Sequence, residues 1–178
     1  MAEYLGMITT AYQNWRLILE DDGSITINKE QKTLELKKTW LIEILHQLWC
    51  FLDWHEEAEL TGAKDVERDI IAAIPGYSLK LKILRGLDAD VPGSYQRRGG
   101  EAARLFLELK NLDDKVTLRL HVSKLQTLVN ILRRGCLKAR LDITEIEAAH
   151  DIRQQRLWDK LTGVDLSGME KIDLEEVL

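Results

Sequence analysis

The segment Thr33-Leu34-Glu35-Leu36-Lys37-Lys38-Thr39 recurs 84 residues later as Thr117-Leu118-Arg119-Leu120-His121-Val122-Ser123. In each copy an alternating stretch meets a hydroxyl residue, and the period then changes. Leu41, Ile44, Leu45 and Leu48 follow the first copy at three- and four-residue steps; Leu125, Leu128, Val129 and Leu132 follow the second. Alternation places apolar side chains on one side of a strand, and the longer steps place them on one stripe of a helix. Thr39 and Ser123 stand where an N-cap belongs. Two such units are expected to pack their sheets edge to edge or face to face and share the helices as a cover. Any strand-to-helix junction calls for a cap and a change of period, so duplication and a generic likeness both stay open at this level.

Period-two stretches extend the pattern. Trp15, Leu17 and Leu19 alternate, Asp21-Asp22-Gly23-Ser24 has hairpin-turn chemistry, and Ile25, Ile27, Leu34 and Leu36 resume the alternation. Residues 2–14 are too mixed to assign. A helix is expected from Thr39 to Gly62, and a short one over 64–74 before Pro75-Gly76. Residues 77–86 read as a strand, with Leu79, Leu81 and Ile83 on one face and Lys80 and Lys82 on the other, and 87–100 as a loop. Residues 105–110 and 116–122 read as a hairpin. A helix stopped at Gly135 and a last helix over 142–162 complete the pass. The reading is an α+β protein of short antiparallel hairpins covered by amphipathic helices, with two strand-strand-strand-helix repeats. Because the alternating segments are rich in Leu, a strong helix former, an all-α bundle is the alternative. The expected organisation is a first strand-helix unit over 1–76, a second over 77–140, and a C-terminal helix with an acidic tail over 141–178, all in one compact domain.

The 178 residues are 45% hydrophobic and 31% charged, an ordinary globular balance. There is no apolar run of the roughly 18 residues that span a membrane. Met1 to Met7 lacks the basic and apolar regions of a signal peptide. Cys50 and Cys136 sit among apolar residues and read as reduced thiols, so a cytoplasmic location is expected. The net charge of −5 divides into −7 over residues 1–77, +8 over 78–140 and −6 over 141–178. A basic centre between acidic flanks pairs with them within the fold, pairs between copies, or meets phosphate or an acidic partner.

Arg97 and Arg98, with Gly99-Gly100 and Arg104 following, suit phosphate oxygens, and Arg133 and Arg134 extend the set. These five are the candidate phosphate- or nucleic-acid-binding residues. All five Trp lie outside the basic block, which disfavours a base-stacking platform there. Glu43-x-x-His46 and Glu147-x-x-His150, with Glu20 and Glu108 as further carboxylates, form the pattern of a di-metal site in a helical bundle. His46 and Cys50 could serve as half of a zinc site, which needs four ligands. No nucleophile elbow is present, and neither Cys has a catalytic neighbour in sequence. Beyond Gly163 and Gly168, an acidic segment carries Met169, Ile172, Leu174 and Leu178, candidate anchors for partner docking.

The leading expectation is a non-enzymatic subunit or assembly factor that works through contacts with other protein subunits or with itself, without cofactor or metal. A nucleic-acid-binding module for DNA or RNA using the basic centre is the alternative, and a di-metal carboxylate protein is the third. Strand-strand-strand-helix in tandem is also the order of some single-strand nucleic-acid-binding folds, a likeness of order alone.

Overall fold

The structure, a computed structural model, describes residues 2–10, 13–63, 67–69, 73–84 and 104–163, with only the backbone of Leu84 and Arg104. It is α+β. Strands β1 (Glu3–Thr9), β2 (Asn14–Leu19), β3 (Ile25–Lys29) and β4 (Lys32–Leu36) form one antiparallel sheet in chain order. Helix α1 (Leu41–Thr61) follows. Strands β5 (Arg68–Asp69), β6 (Tyr77–Leu84), β7 (Arg104–Asn111) and β8 (Val116–His121) form the second sheet in the same manner, followed by α2 (Leu125–Lys138) and α3 (Thr144–Leu161). The hairpin expected at 105–110 and 116–122 is β7–β8, and the all-α alternative does not hold: the alternation is satisfied by ladder pairing, which overrides the helix propensity of Leu.

The two units match element for element. Each last strand leads into one 3-10 turn, Lys38–Trp40 or Val122–Lys124, and the helices start at Leu41 and Leu125, still 84 apart. Thr39 and Ser123 lie inside these turns and do not cap the helices. Instead the ring nitrogen Nδ1 of His121 accepts from the Ser123 backbone N–H at 3.1 Å. The helices are placed crosswise on the two sheets. Helix α2 of the second unit lies on the first sheet, with Ile131 against Gly6 of β1, while α1 of the first unit contacts β6, and Arg68 of β5 sits 4.4 Å over the Trp54 ring. The crosswise cover merges the inner faces of both sheets and the helices into one buried cluster, in which Leu17, Ile27, Leu34, Ile44, Leu79 and Leu107 are fully enclosed. Tyr77 stitches the units together: its hydroxyl donates to the Glu35 carbonyl and accepts from the Lys37 N–H, both at 2.9 Å.

Three local expectations are corrected. The helix over 64–74 gives way at Arg68–Asp69 to β5, because the open edge of β6 offers ladder bonds to Leu81 and Lys80 that an isolated short helix lacks. Strand β1 went unread because the register shifts between Tyr4 and Gly6, so Leu5 and Ile8, three residues apart, both face inward. Gly135 does not stop α2, which runs to Lys138; a Cβ there would stand 2.6 Å from Ile25 Cδ1 and 2.8 Å from Leu5 Cδ1, so glycine permits close approach of helix to sheet. The helix ends instead at Arg140, in the left-handed region at φ 61°, where the N–H groups of Arg140 and Leu141 bond back to Leu137 and Cys136 and Leu141 folds onto the core.

Candidate nucleic-acid interface

Alternation along β6, β7 and β8 sends Leu79, Leu81, Leu107, Leu109, Leu118 and Leu120 to the inner face and their neighbours to the outer one, where Phe106 and Glu108 are buried and the flanking residues half-buried. The register sets the outward residues in three rows across the strands: Ser78–Lys110–Thr117, Lys80–Glu108–Arg119 and Lys82–Phe106–His121. Glu108 is the carboxylate in these rows. Its side chain is only 9% exposed, and it lies 3.1 Å from Arg119, 3.7 Å from Lys82 and 3.8 Å from Lys110. Lys82 and Lys110 are 41% and 43% exposed, so solvent meets the cations while the anion sits beneath them. The excess positive charge therefore faces outward.

Burial opposes ionisation of Glu108, but the Arg119 hydrogen bond and the charges of Lys82, Lys110 and Arg119 outweigh it and hold the carboxyl below its ordinary value. A carboxyl whose folded value is depressed stabilises the fold above the unfolded value, and that stability disappears as pH falls through the folded one. Glu108→Gln should therefore lower the urea midpoint at pH 7, and the gap to the unmutated protein should narrow below about pH 4.5. A gap that stays constant from pH 7 to 3 would show that the ion pairs contribute nothing. At the rim His121 meets the Phe106 ring edge-on at 5.1 Å between centroids. Burial, followed by the nearby His55, pushes its proton affinity down.

Among the described residues, the arginines proposed from sequence do not form one site. Arg97 and Arg98 lie outside the described residues. Arg104 begins β7 opposite Leu84. Arg133 is on α2, ion-paired with Glu147 and 5.5 Å over the Trp49 ring, and Arg134 reaches toward Gly6 of β1. The docking residues Met169, Ile172, Leu174 and Leu178 also lie outside the described residues. Sequence reading placed Lys80 and Lys82 on one side of a strand but did not join them to Lys110 and Arg119, because only the register brings the three strands together.

A second polar cluster joins the helices. Asp53, 5% exposed on α1, accepts from His150 Nδ1 at 2.8 Å, Arg153 Nε at 2.7 Å and Gln154 Nε2 at 3.1 Å, all from α3. His150 stacks on Trp49 at 4.5 Å. These contacts take up the His of the second Glu-x-x-His motif, and Glu147 is held by Arg133. Glu20 and Glu108 belong to different sheet regions, and among the described residues no group of three or more His, Cys, Asp or Glu could hold a metal ion. The di-metal pattern is therefore not assembled. Cys50 Sγ is 3.8 Å from His46 Nε2; burial raises the thiol and lowers the imidazole, which disfavours a thiolate–imidazolium pair. Among the described residues no helix is long and apolar enough to cross a membrane. No protein-family model matches this chain, and no curated protein matches it either.

Proposed function

We propose that this protein binds nucleic acid, with polynucleotide phosphates held on the outer face of β6–β8. The observation that carries the reading is a difference between two copies of one architecture. In the first sheet the two equivalent outer rows are Arg16–Asn28–Thr33 and Ile18–Thr26–Glu35, with one cation and one carboxylate. In the second sheet they are Ser78–Lys110–Thr117 and Lys80–Glu108–Arg119, with three cations and one carboxylate, and Lys82 adds a fourth cation in the next row. Both faces have the same strand pairing and the same inward leucine and isoleucine packing, and the one buried carboxylate, Glu108, does not balance four cations. The added positive charge is then a property of what the second face meets. Lysines and an arginine spread over a sheet suit a phosphate backbone, whose binding is electrostatic and salt-dependent.

The test is fluorescence anisotropy with labelled single strands and duplexes of about 20 nucleotides at about 50 and 200 mM salt. Affinity should fall as salt rises. Lys80→Glu with Lys82→Glu should weaken binding at least about tenfold and flatten the salt slope by about two phosphates' worth. Arg16→Glu, on the first sheet, should change little. Absence of binding to any DNA or RNA at the lower salt would overturn the reading.

A second reading, assembly through protein contacts, is favoured by the outer side of β1, where Tyr4 and Met7 are 58% and 39% exposed beside Ile18 and Arg16. An aromatic and a flexible thioether beside an arginine suit a protein surface. Tyr4→Glu should then dissociate assemblies seen by sedimentation without affecting nucleic-acid binding.

A further inference from the structure

The apolar patch at the C-terminal ends of α1 and α3 points to an occupant. The two helices run in the same direction, since Asp53 meets Arg153 and, one turn further along α1 and two along α3, Glu57 meets Lys160. Leu60 and Leu161 come next along the facing stripes, yet they are 54% and 44% exposed, and Trp158 beside them is 62% exposed. Three large apolar side chains at one end of a helix pair are half uncovered by the described residues. Between the helices, Arg156 and Lys160 line an open cavity of about 230 Å³ with Trp54, Glu57 and Leu157.

We infer that this patch is the docking site of the chain's own C-terminal segment, residues 164–178. The direction of the chain is the first argument. Gly163 is in the left-handed region at φ 80° and its N–H bonds back to the Lys160 carbonyl. This is the helix-ending turn that reverses the backbone and brings the following residue against the last turn of the helix. The same turn ends α2 at Arg140, and there the next residue, Leu141, packs onto the core. At α3 the residue in that sequence position is Val164, and the apolar residue at the motif's partner position in the last turn is Trp158. Composition is the second argument. The segment supplies Val164, Leu166, Met169, Ile172 and Leu174 for the apolar patch. Its carboxylates, Asp165, Glu170, Asp173, Glu175 and Glu176 against one Lys171, complement Arg156 and Lys160, which line the cavity on the other flank of α3 from Trp158. The third is proximity: the segment starts three residues beyond Leu161, so closing the contact costs little loop entropy. This inference stands apart from the phosphate-binding reading, because it involves neither β6–β8 nor nucleic acid.

The experiment compares the full chain with a chain ending at Gly163, each with and without Trp158→Phe, so that Trp158 emission is obtained by difference. In the full chain that emission should be blue-shifted and poorly quenched by acrylamide. In the truncated chain it should shift to the red and become quenched, and the melting temperature should fall. Val164→Asp in the full chain should do the same if truncation compromises folding. Protection should persist on dilution of a monomer in sedimentation. Equal emission and quenching with and without the segment would overturn the inference. So would protection that is lost on dilution together with a dimer, which would assign the site to the segment of a second copy.

Discussion

Asp53→Ala is expected to cost about 3–5 kcal/mol of folding stability, read as a lower urea midpoint with an unchanged slope. The carboxylate is buried, and three donors from α3 converge on it. Removing it leaves Arg153, whose side chain is 17% exposed, as a largely buried cation with no counter-charge at Asp53. Desolvating a charge without a partner costs more than the lost hydrogen bonds do, which places the effect above that of an ordinary polar truncation. The loss should be specific to the α1–α3 contact, so near-ultraviolet circular dichroism should change as Trp49 loses its stacked partner His150. Asp53→Asn, which keeps one acceptor oxygen but not the charge, should fall between. A cost below about 1 kcal/mol for the alanine variant would mean that α3 is held by its apolar contacts, Ile146 and Leu157, and that the polar cluster is incidental.

Gly135→Leu should cost about 3 kcal/mol or more, whereas Gly135→Ala should be close to neutral. Two effects oppose each other at this position. Alanine in a helix interior gains up to about 1 kcal/mol over glycine through lost backbone freedom. Its Cβ, however, would press on Ile25 Cδ1 and Leu5 Cδ1. Those atoms are side-chain ends, so a small rotation absorbs a single methyl group and the two effects roughly cancel. A leucine cannot be absorbed, because Ile25 and Leu5 are 0% and 4% exposed and have nowhere to move. The helix must then lift from β1 and β3, and the shared core opens. Equal thermal stability of the leucine and alanine variants would show that the helix–sheet spacing is not set at Gly135.

Much of this architecture can be read from local pattern. The alternation of Leu105, Leu107 and Leu109 and of Leu118 and Leu120 specifies a hairpin because a two-residue period is a property of the strand itself. The three- and four-residue steps of Leu41, Ile44, Leu45 and Leu48 likewise specify a helix. Asp22 and Gly23 specify their turn because the Asp22 carboxylate accepts from both the N–H and the hydroxyl of Ser24, and Gly23 takes the positive φ of 88°. Where local chemistry competed with partners distant in sequence, the pattern misled. Gly135 resembles a helix stop until Ile25 and Leu5 appear against it. Strand β1 hides behind the irregularity at Gly6.

The candidate site was legible only in part, for the same reason. Block charge marked residues 78–140 as basic, and Lys80 and Lys82 stood out on one side of a strand. The choice among fourteen lysines and arginines in that block depends on which strands lie side by side. Sequence alone determined the strand-to-helix pattern that recurs, most of the element types and the sign of the charge, since each follows from residues near one another along the chain. Only the tertiary structure decided that Lys80, Lys110 and Arg119 share one face around Glu108, that Asp53 binds α3 to α1, and that each unit's helix contacts the other unit's sheet. Those pairings join residues up to about a hundred positions apart, and their register follows from burying two apolar sheet faces in one core.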